Sequence, residues 1–198
     1  MGTDRDWEKW GTDNPYYGVL STDKYQAHSM SEQDRKDFFE SGEHHVNMVF
    51  ETIQRVFETV LLPERTLDFG CGVGRLVVPF ASKSNNVVGV DISPSMLTEA
   101  QRNCNRLNIN NCEFVLSDDR LSKVEGKFNL VHSSLVLQHI PPRRGFQIVR
   151  EMLSRVAPGG FAALQFLYRC NVSIVLRAIV KLRYAFPPVN YARNLYRR

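Results

Sequence analysis

Apolar residues recur with two different periods along the chain. Between about Glu43 and Leu61, Val46, Val49, Phe50, Ile53, Val56, Phe57 and Val60 return at steps of three and four, the stripe of an amphipathic helix. Pro63 stops it, because a proline removes the backbone donor and clashes with the preceding turn. A shorter helix is predicted to open at Ser31 as N-cap, with Glu32 and Asp34 in an acidic first turn. It carries Phe38 and Phe39 and breaks at Gly42. Beyond residue 64 the pattern changes to short apolar runs of strand length, separated by helical stripes. The predicted strands are Arg65–Phe69, Asn86–Asp91, Cys112–Ser117, Phe128–Ser134 and Phe161–Phe166, the last entered through a Pro158-Gly159-Gly160 turn. The predicted helices are Leu76–Ala81, Pro94–Leu107, with Ser93 as cap, and Arg144–Val156. Strands alternating with helices predict an α/β fold, a doubly wound, mostly parallel sheet with helices on both faces. Right-handed crossovers then bring the strand C-termini to one edge, where open α/β sheets bind ligands. Asp68, Asp91, Asp118 and Ser133 all fall on that edge.

Residues 1–30 break the pattern. They are polar but hold Trp7, Trp10, Tyr16, Tyr17 and Tyr25, with a turn at Asp13-Asn14-Pro15. Such a segment packs on something: it is an arm covering the core or a lid over a ligand cleft, with Tyr16 and Tyr17 placed to close over the ligand.

The richest chemistry lies in Asp68-Phe69-Gly70-Cys71-Gly72-Val73-Gly74-Arg75. A strand, a glycine-rich turn and a helix in succession form a nucleotide-type site. Glycine lets the backbone turn sharply and approach a ligand closely, and the helix start offers free N–H groups. The spacing is G-x-G-x-G, one position short of the dinucleotide fingerprint G-x-G-x-x-G, and the acid two places before the first glycine suits a cationic ligand better than a pyrophosphate. A dehydrogenase is disfavoured on both counts. Asp91, 17 residues beyond Gly74, stands where a carboxylate accepts from ribose hydroxyls.

These motifs resemble the class I S-adenosylmethionine (SAM) methyltransferases, a Rossmann-like family, over about Arg65 to Phe166. The resemblance implies SAM as cofactor. It places Asp68, Gly70, Cys71, Gly72 and Gly74 around the methionine part and Asp91 at the ribose. Ile92 falls beside the adenine, within a post-strand segment that runs on through Met96. Asp118 and Asp119 fall at the end of the third strand, where a carboxylate accepts from the adenine amino group, and Ser133 at the end of the fourth. Leu130 to Ile140 and Val156 to Gly160 match the fourth strand's exit and the turn into the fifth. His139, after the fourth strand, is the candidate base if the acceptor must lose a proton; His132 reads as structural, and the adjacent His44 and His45 as surface or capping residues. The family fold ends in two further strands, six and seven. Only a predicted helix, Asn171 to Tyr184, and a short basic tail follow here, so a truncated form, or a five-stranded sheet prone to self-association through its open edge, is expected. The implied organisation is an arm with helices covering the cleft over 1–62, a SAM-binding core over 63–167, and a C-terminal helix and basic tail over 168–198.

Composition narrows the function classes. No run of apolar residues is long enough to span a membrane, and the N-terminus lacks a secretory signal. Cys71, Cys104, Cys112 and Cys170 make no C-x-x-C pair and are expected to be reduced thiols in a cytoplasmic protein. No metal-binding carboxylate set is identifiable. No acidic residue follows Glu151, whereas eight basic ones do, a tail that could serve nucleic acid. The leading expectation is methyl transfer to a small molecule. An RNA methyltransferase using the tail, and a non-catalytic SAM-binding module, are the alternatives.

Overall fold

A computed structural model of the chain describes residues 3–167; the predicted C-terminal helix and basic tail lie outside them. Five strands form one all-parallel sheet in the order β3-β2-β1-β4-β5. They are β1 (Arg65–Phe69), β2 (Asn86–Asp91), β3 (Cys112–Leu116), β4 (Phe128–Ser133) and β5 (Val156–Leu164). The helices are α1 (Thr3–Asp13), α2 (Pro15–Val19), α3 (Glu32–Phe57), α4 (Val77–Ala81), α5 (Pro94–Arg106) and α6 (Pro142–Ser154). Because β1 has β2 on one side and β4 on the other, the chain order reverses beside β1. That reversal opens a crevice at the strand C-termini.

The two sheet faces are covered by different helices, and strand alternation decides which residues each receives. Leu67, Phe69, Val88, Val90 and Val131 pack on Ile148 and Met152 of α6. Val87 and Leu130 face the other way, onto Val46 and Ile53 of α3, Phe80 of α4 and Cys104 of α5. A third cluster joins the arm to the rest: Tyr16, Tyr25, Phe38, Val73 and Met96 are all buried together.

Local signals explain most boundaries. Ser31 and Asp34 form a reciprocal capping box, with Ser31 Oγ accepting from Asp34 N at 3.1 Å and Asp34 Oδ2 accepting from Ser31 N at 2.9 Å. Ser93 caps α5 by accepting from Met96 N, with Pro94 in the first turn.

Three expectations need correction. The two helices predicted on either side of Gly42 are one continuous α3. Gly42 is buried, and a Cβ there would overlap the carbonyl oxygen of Arg75. The missing side chain admits the glycine loop rather than breaking the helix. α3 also ends at Phe57, with Glu58 in the left-handed region, six residues before Pro63. β5 begins at Val156, earlier than predicted: Phe128 pairs with Val156 but Leu130 pairs with Phe161, so residues 157–160 bulge out of register between them. The Pro-Gly-Gly signal marks that bulge.

Candidate functional site

A cavity of about 590 Å³ opens at the C-terminal edge of β1, β2, β3 and β4. Its floor is the loop after β1, with Asp68, Gly70, Cys71, Gly72 and Arg75 in the wall. Gly70, Gly72 and Gly74 all have positive φ (75°, 53° and 84°), a conformation that favours glycine. At Gly70 a Cβ would overlap Val136, and at Gly72 it would stand 2.6 Å from Val19 Cγ2 of the arm. The loop backbone is therefore gripped from two sides. Gly74 lies outside the cavity wall and packs on α5, where its Cβ would meet Ala100 at 3.4 Å.

Asp91 braces this loop. Its Oδ2 accepts from Gly72 N and its Oδ1 from Ser93 N, both at 2.9 Å. Burial raises its carboxyl pKa, and hydrogen bonds from Ser93, Gly72 and Ile92 backbone act against that rise. Ile92 and Met96 complete this side of the wall.

The paired acids after β3 are not equivalent. Asp118 is turned into its own loop, where it accepts from Arg120 N at 2.9 Å, Ser122 N at 3.0 Å and Ser122 Oγ. These bonds lower its pKa. Asp119 and Ser117 line the cavity instead. Ser133 likewise turns away and donates to Phe69 O at 3.0 Å, while Ser134 takes a place in the wall. The expected cofactor positions Asp118, Gly74 and Ser133 thus support the loops around the cavity without lining it.

The opposite wall comes from the arm. Trp7, Trp10 and Tyr17 line the cavity, the last two with ring centroids 5.7 Å apart. Tyr16 does not: its hydroxyl is buried against Glu99 at 2.7 Å, Asn103 at 2.9 Å and Arg35. Burial, then the Glu99 carboxylate, push its pKa up to about 12. Tyr16 anchors the arm to α5, and Tyr17 does the facing. Two further ties hold the arm down. Glu8 accepts from Ser93 Oγ (2.7 Å), Ser95 Oγ (2.6 Å) and Ser95 N (3.2 Å), bonds that lower its pKa. Arg144 of α6 donates to both Asp4 oxygens (2.6 and 3.1 Å) and, through Nε, to Asp119 at 2.6 Å.

His139 sits in the wall at the end of the β4 exit loop, edge-on to Trp7 with centroids 5.2 Å apart. Burial lowers its pKa, so the neutral, proton-accepting form prevails near neutral pH. The exit loop is positioned by Gln165, whose Oε1 accepts from Ser134 Oγ at 2.7 Å and Leu135 N at 2.9 Å.

Sequence reasoning missed Arg75, Arg144 and the tryptophans as wall residues, and read His45 wrongly as a surface or capping group. His45 Nε2 lies 3.1 Å from His132 Nε2, and His132 Nδ1 lies 2.8 Å from Asp68 Oδ1. The Trp7/Trp10 spacing of three, one face of a short helix, was a usable signal for the tryptophans.

A glycine-gripped loop at the switch point of a parallel sheet, with an acid at the end of β2, defines a nucleoside-cofactor protein of the α/β class. Residues 66–160 match a methyltransferase domain family. That match takes in 95 of the chain's 198 residues, and the solved structures whose fold the chain shares are SAM-dependent class I methyltransferases. The chain is 34% identical over 108 residues to an uncharacterized methyltransferase of Synechocystis sp., covering 54% of this chain and 48% of that one. It is 30% identical over 115 residues to the 23S rRNA (uracil(1939)-C(5))-methyltransferase of Marinomonas posidonica, covering 58% of this chain and 25% of that one. The chain therefore spans about half the length of the first relative and a quarter of the second. In fold it is similar to the magnesium protoporphyrin IX methyltransferase of Synechocystis PCC 6803, crystallised with S-adenosylhomocysteine (SAH), with a TM-score of 0.60, 22% identity, and 94% of this chain and 80% of that one covered.

Proposed function

We propose that the protein binds SAM in this cavity and transfers its methyl group to a small molecule held under the arm. The observation that carries the reading is the composition of the two walls. One is loop backbone and carboxylate, and the other is aromatic rings and a neutral histidine, meeting across one cavity of a size usual for small-molecule sites. The residues present fit the cofactor. Asp68 Oδ2 and Arg75 Nε are buried without a protein partner, one an acceptor and one a donor, and both residues line the cavity. Opposite charges at one spot suit the ammonium and carboxylate of the methionine part. Asp91 suits the ribose hydroxyls, and Ile92, Met96 and Asp119 the adenine side. Asp118, Gly74 and Ser133 act one step back, holding the loops that present these groups.

SAM brings an electrophilic methyl on a sulfonium; the protein's share is orientation and exclusion of water. The tied-down arm excludes water and narrows the space for an acceptor, and Trp7, Trp10 and Tyr17 offer flat apolar surfaces to it. His139 takes a proton from the acceptor where one must leave. Loss of SAH production in His139→Gln with SAH binding unchanged tests that role.

The RNA reading has two supports, the basic residues after Glu151 and the similarity to rRNA methyltransferases, and that similarity covers a quarter of the named relative. The arm across the cavity weighs against an acceptor as large as a folded RNA. The test is calorimetric titration with SAM and SAH, followed by a screen for SAH formation against metabolite pools and against RNA. A folded sample that binds neither compound overturns the cofactor assignment. SAH formation with RNA alone overturns the small-molecule acceptor.

A further inference from the structure

Asp68 is the most buried acid of the site, 2% exposed, and one of its oxygens has no protein partner. Its other oxygen belongs to a chain of groups that runs out of the cavity wall. His132 of β4, also 2% exposed, faces Asp68 Oδ1 through Nδ1 at 2.8 Å. His132 Nε2 faces Nε2 of His45 on α3 at 3.1 Å, and His45 is half-buried. Phe80 closes the remaining side of His132, ring centroid to ring centroid 5.1 Å. The three groups come from α3, β1 and β4, so the chain exists only in the assembled fold.

The proton inventory follows from the acceptors. Two ring nitrogens 3.1 Å apart attract only if one of them carries a proton. A carboxylate oxygen accepts only, so His132 Nδ1 carries its proton toward Asp68. A neutral His132 then has a bare Nε2, which accepts from His45 Nε2–H. Arg75 lines the same cavity wall as Asp68, whose opposite charge partly offsets the fall that burial causes in the Arg75 pKa. When both rings are uncharged, this geometry requires opposite tautomers, Nδ1–H on His132 and Nε2–H on His45.

We infer that His132, with its Nδ1–H turned to Asp68 and its Nε2 supported by His45, is a positioning residue that clamps Asp68 so that its second oxygen stays available to the cationic end of the cofactor. The assignment of the cofactor rests on the reading proposed above; the clamp itself does not. A carboxylate buried at the floor of the cavity would otherwise rotate to find partners among the loop amides. The clamp removes that freedom before the ligand arrives, and pre-organisation of this kind raises affinity without adding a contact.

Two measurements test it. The first needs no cofactor: long-range ¹H–¹⁵N correlation spectra of histidine-labelled protein report the tautomer of each ring. His132 is expected as Nδ1–H and His45 as Nε2–H; His132 found as Nε2–H overturns the clamp. The second is SAH binding by calorimetry. His132→Asn keeps a donor at the Nδ1 position and is expected to bind within about threefold of the unaltered protein. His132→Leu leaves Asp68 unclamped and is expected to bind about ten- to a hundredfold more weakly, the range for a lost charge-assisted bond. A folded His132→Leu protein that binds SAH normally overturns the inference. Should that variant fail to fold, His45→Leu on the half-buried helix face serves. It leaves the Asp68 bond to His132 Nδ1 in place but removes the support at Nε2, so the Nδ1–H tautomer is expected to persist with weaker SAH binding, and unchanged affinity overturns the part given to His45. If the unaltered protein binds no SAH, the cofactor reading falls, while the tautomer spectra still decide on the clamp.

Discussion

Replacing Asp91 by alanine separates two jobs that one side chain performs. In the ligand-free protein its two oxygens satisfy Gly72 N–H and Ser93 N–H, each at 2.9 Å. Alanine orphans both donors, and an unpartnered buried group costs about 1–3 kcal/mol. Asp91 borders the cavity, so water can reach part of this space, and removing a buried carboxylate returns some desolvation energy. The net loss should lie near 2 kcal/mol, a fall of about 4–8 °C in Tm for a chain of this size. Ligand affinity carries the second job. Charge-assisted bonds to ribose hydroxyls, worth about 1.5–3 kcal/mol, predict SAH binding about ten- to a hundredfold weaker. Asp91→Asn should fall between, since its amide oxygen can take one backbone N–H while its amide nitrogen confronts the other. Urea unfolding followed by circular dichroism reads the first quantity and calorimetry the second. Lost stability with unchanged SAH affinity would reduce Asp91 to a loop brace. No change in either would refute the hydrogen-bond reasoning altogether.

Gly42→Ala should destabilise by about 1–2 kcal/mol in urea unfolding: overpacking against the Arg75 carbonyl costs about 1–3 kcal/mol, against a helix-propensity gain of up to about 1 kcal/mol. A gain in stability would mean that α3 shifts freely. Arg144→Gln should lower stability by less than about 1.5 kcal/mol, because rim ion pairs are individually weak, yet speed SAH release severalfold in stopped-flow by freeing Asp4 of the arm. Release that is neither faster in the variant nor salt-dependent in the unaltered protein would remove the latch. His45 supplies a pH dependence. Burial, then His132 and Arg75, lower its pKa to about 4, with Asp68 pulling the other way and His44 adding slightly to the fall. The unfolded chain therefore holds more protons than the folded one between about pH 6.5 and 4, so stability falls as pH drops through that window. Partial exposure trims the loss to about 1–2 kcal/mol, and His45→Gln should abolish that part of the slope; an identical slope in the variant would contradict the lowered pKa.

What could be read from the sequence was local. β2 is an apolar run from Val87 to Val90 between Asn86 and Asp91, β1 is a short buried strand centred on Leu67, and both fold within the predicted bounds. Ser31, Ser93 and Pro94 carry their cap chemistry within three residues. Two misreadings, at Gly42 and at His45, share one cause, a partner distant in sequence. Gly42 looked like a breaker because the carbonyl that requires it belongs to Arg75. His45 looked like a surface residue because its partner, His132, is 87 positions away. The choice between Asp118 and Asp119 was decided by Ser122, four residues on, which captures the first acid.

The tie between Glu8 and the two serines at the start of α5 bears on how such proteins can be recombined. Glu8 places a carboxylate at the amino end of α5 and takes both serine hydroxyls and a backbone N–H there. The same turn follows Asp91, whose Oδ1 takes Ser93 N. A chimera that exchanged only the first thirty residues, to transplant acceptor preference between relatives, would therefore also alter the footing of the ribose-side loop. Donor arm and recipient helix need to be traded as a matched set, Glu8 with Ser93 and Ser95. A mismatched hybrid should lose cofactor affinity before its acceptor preference can be read.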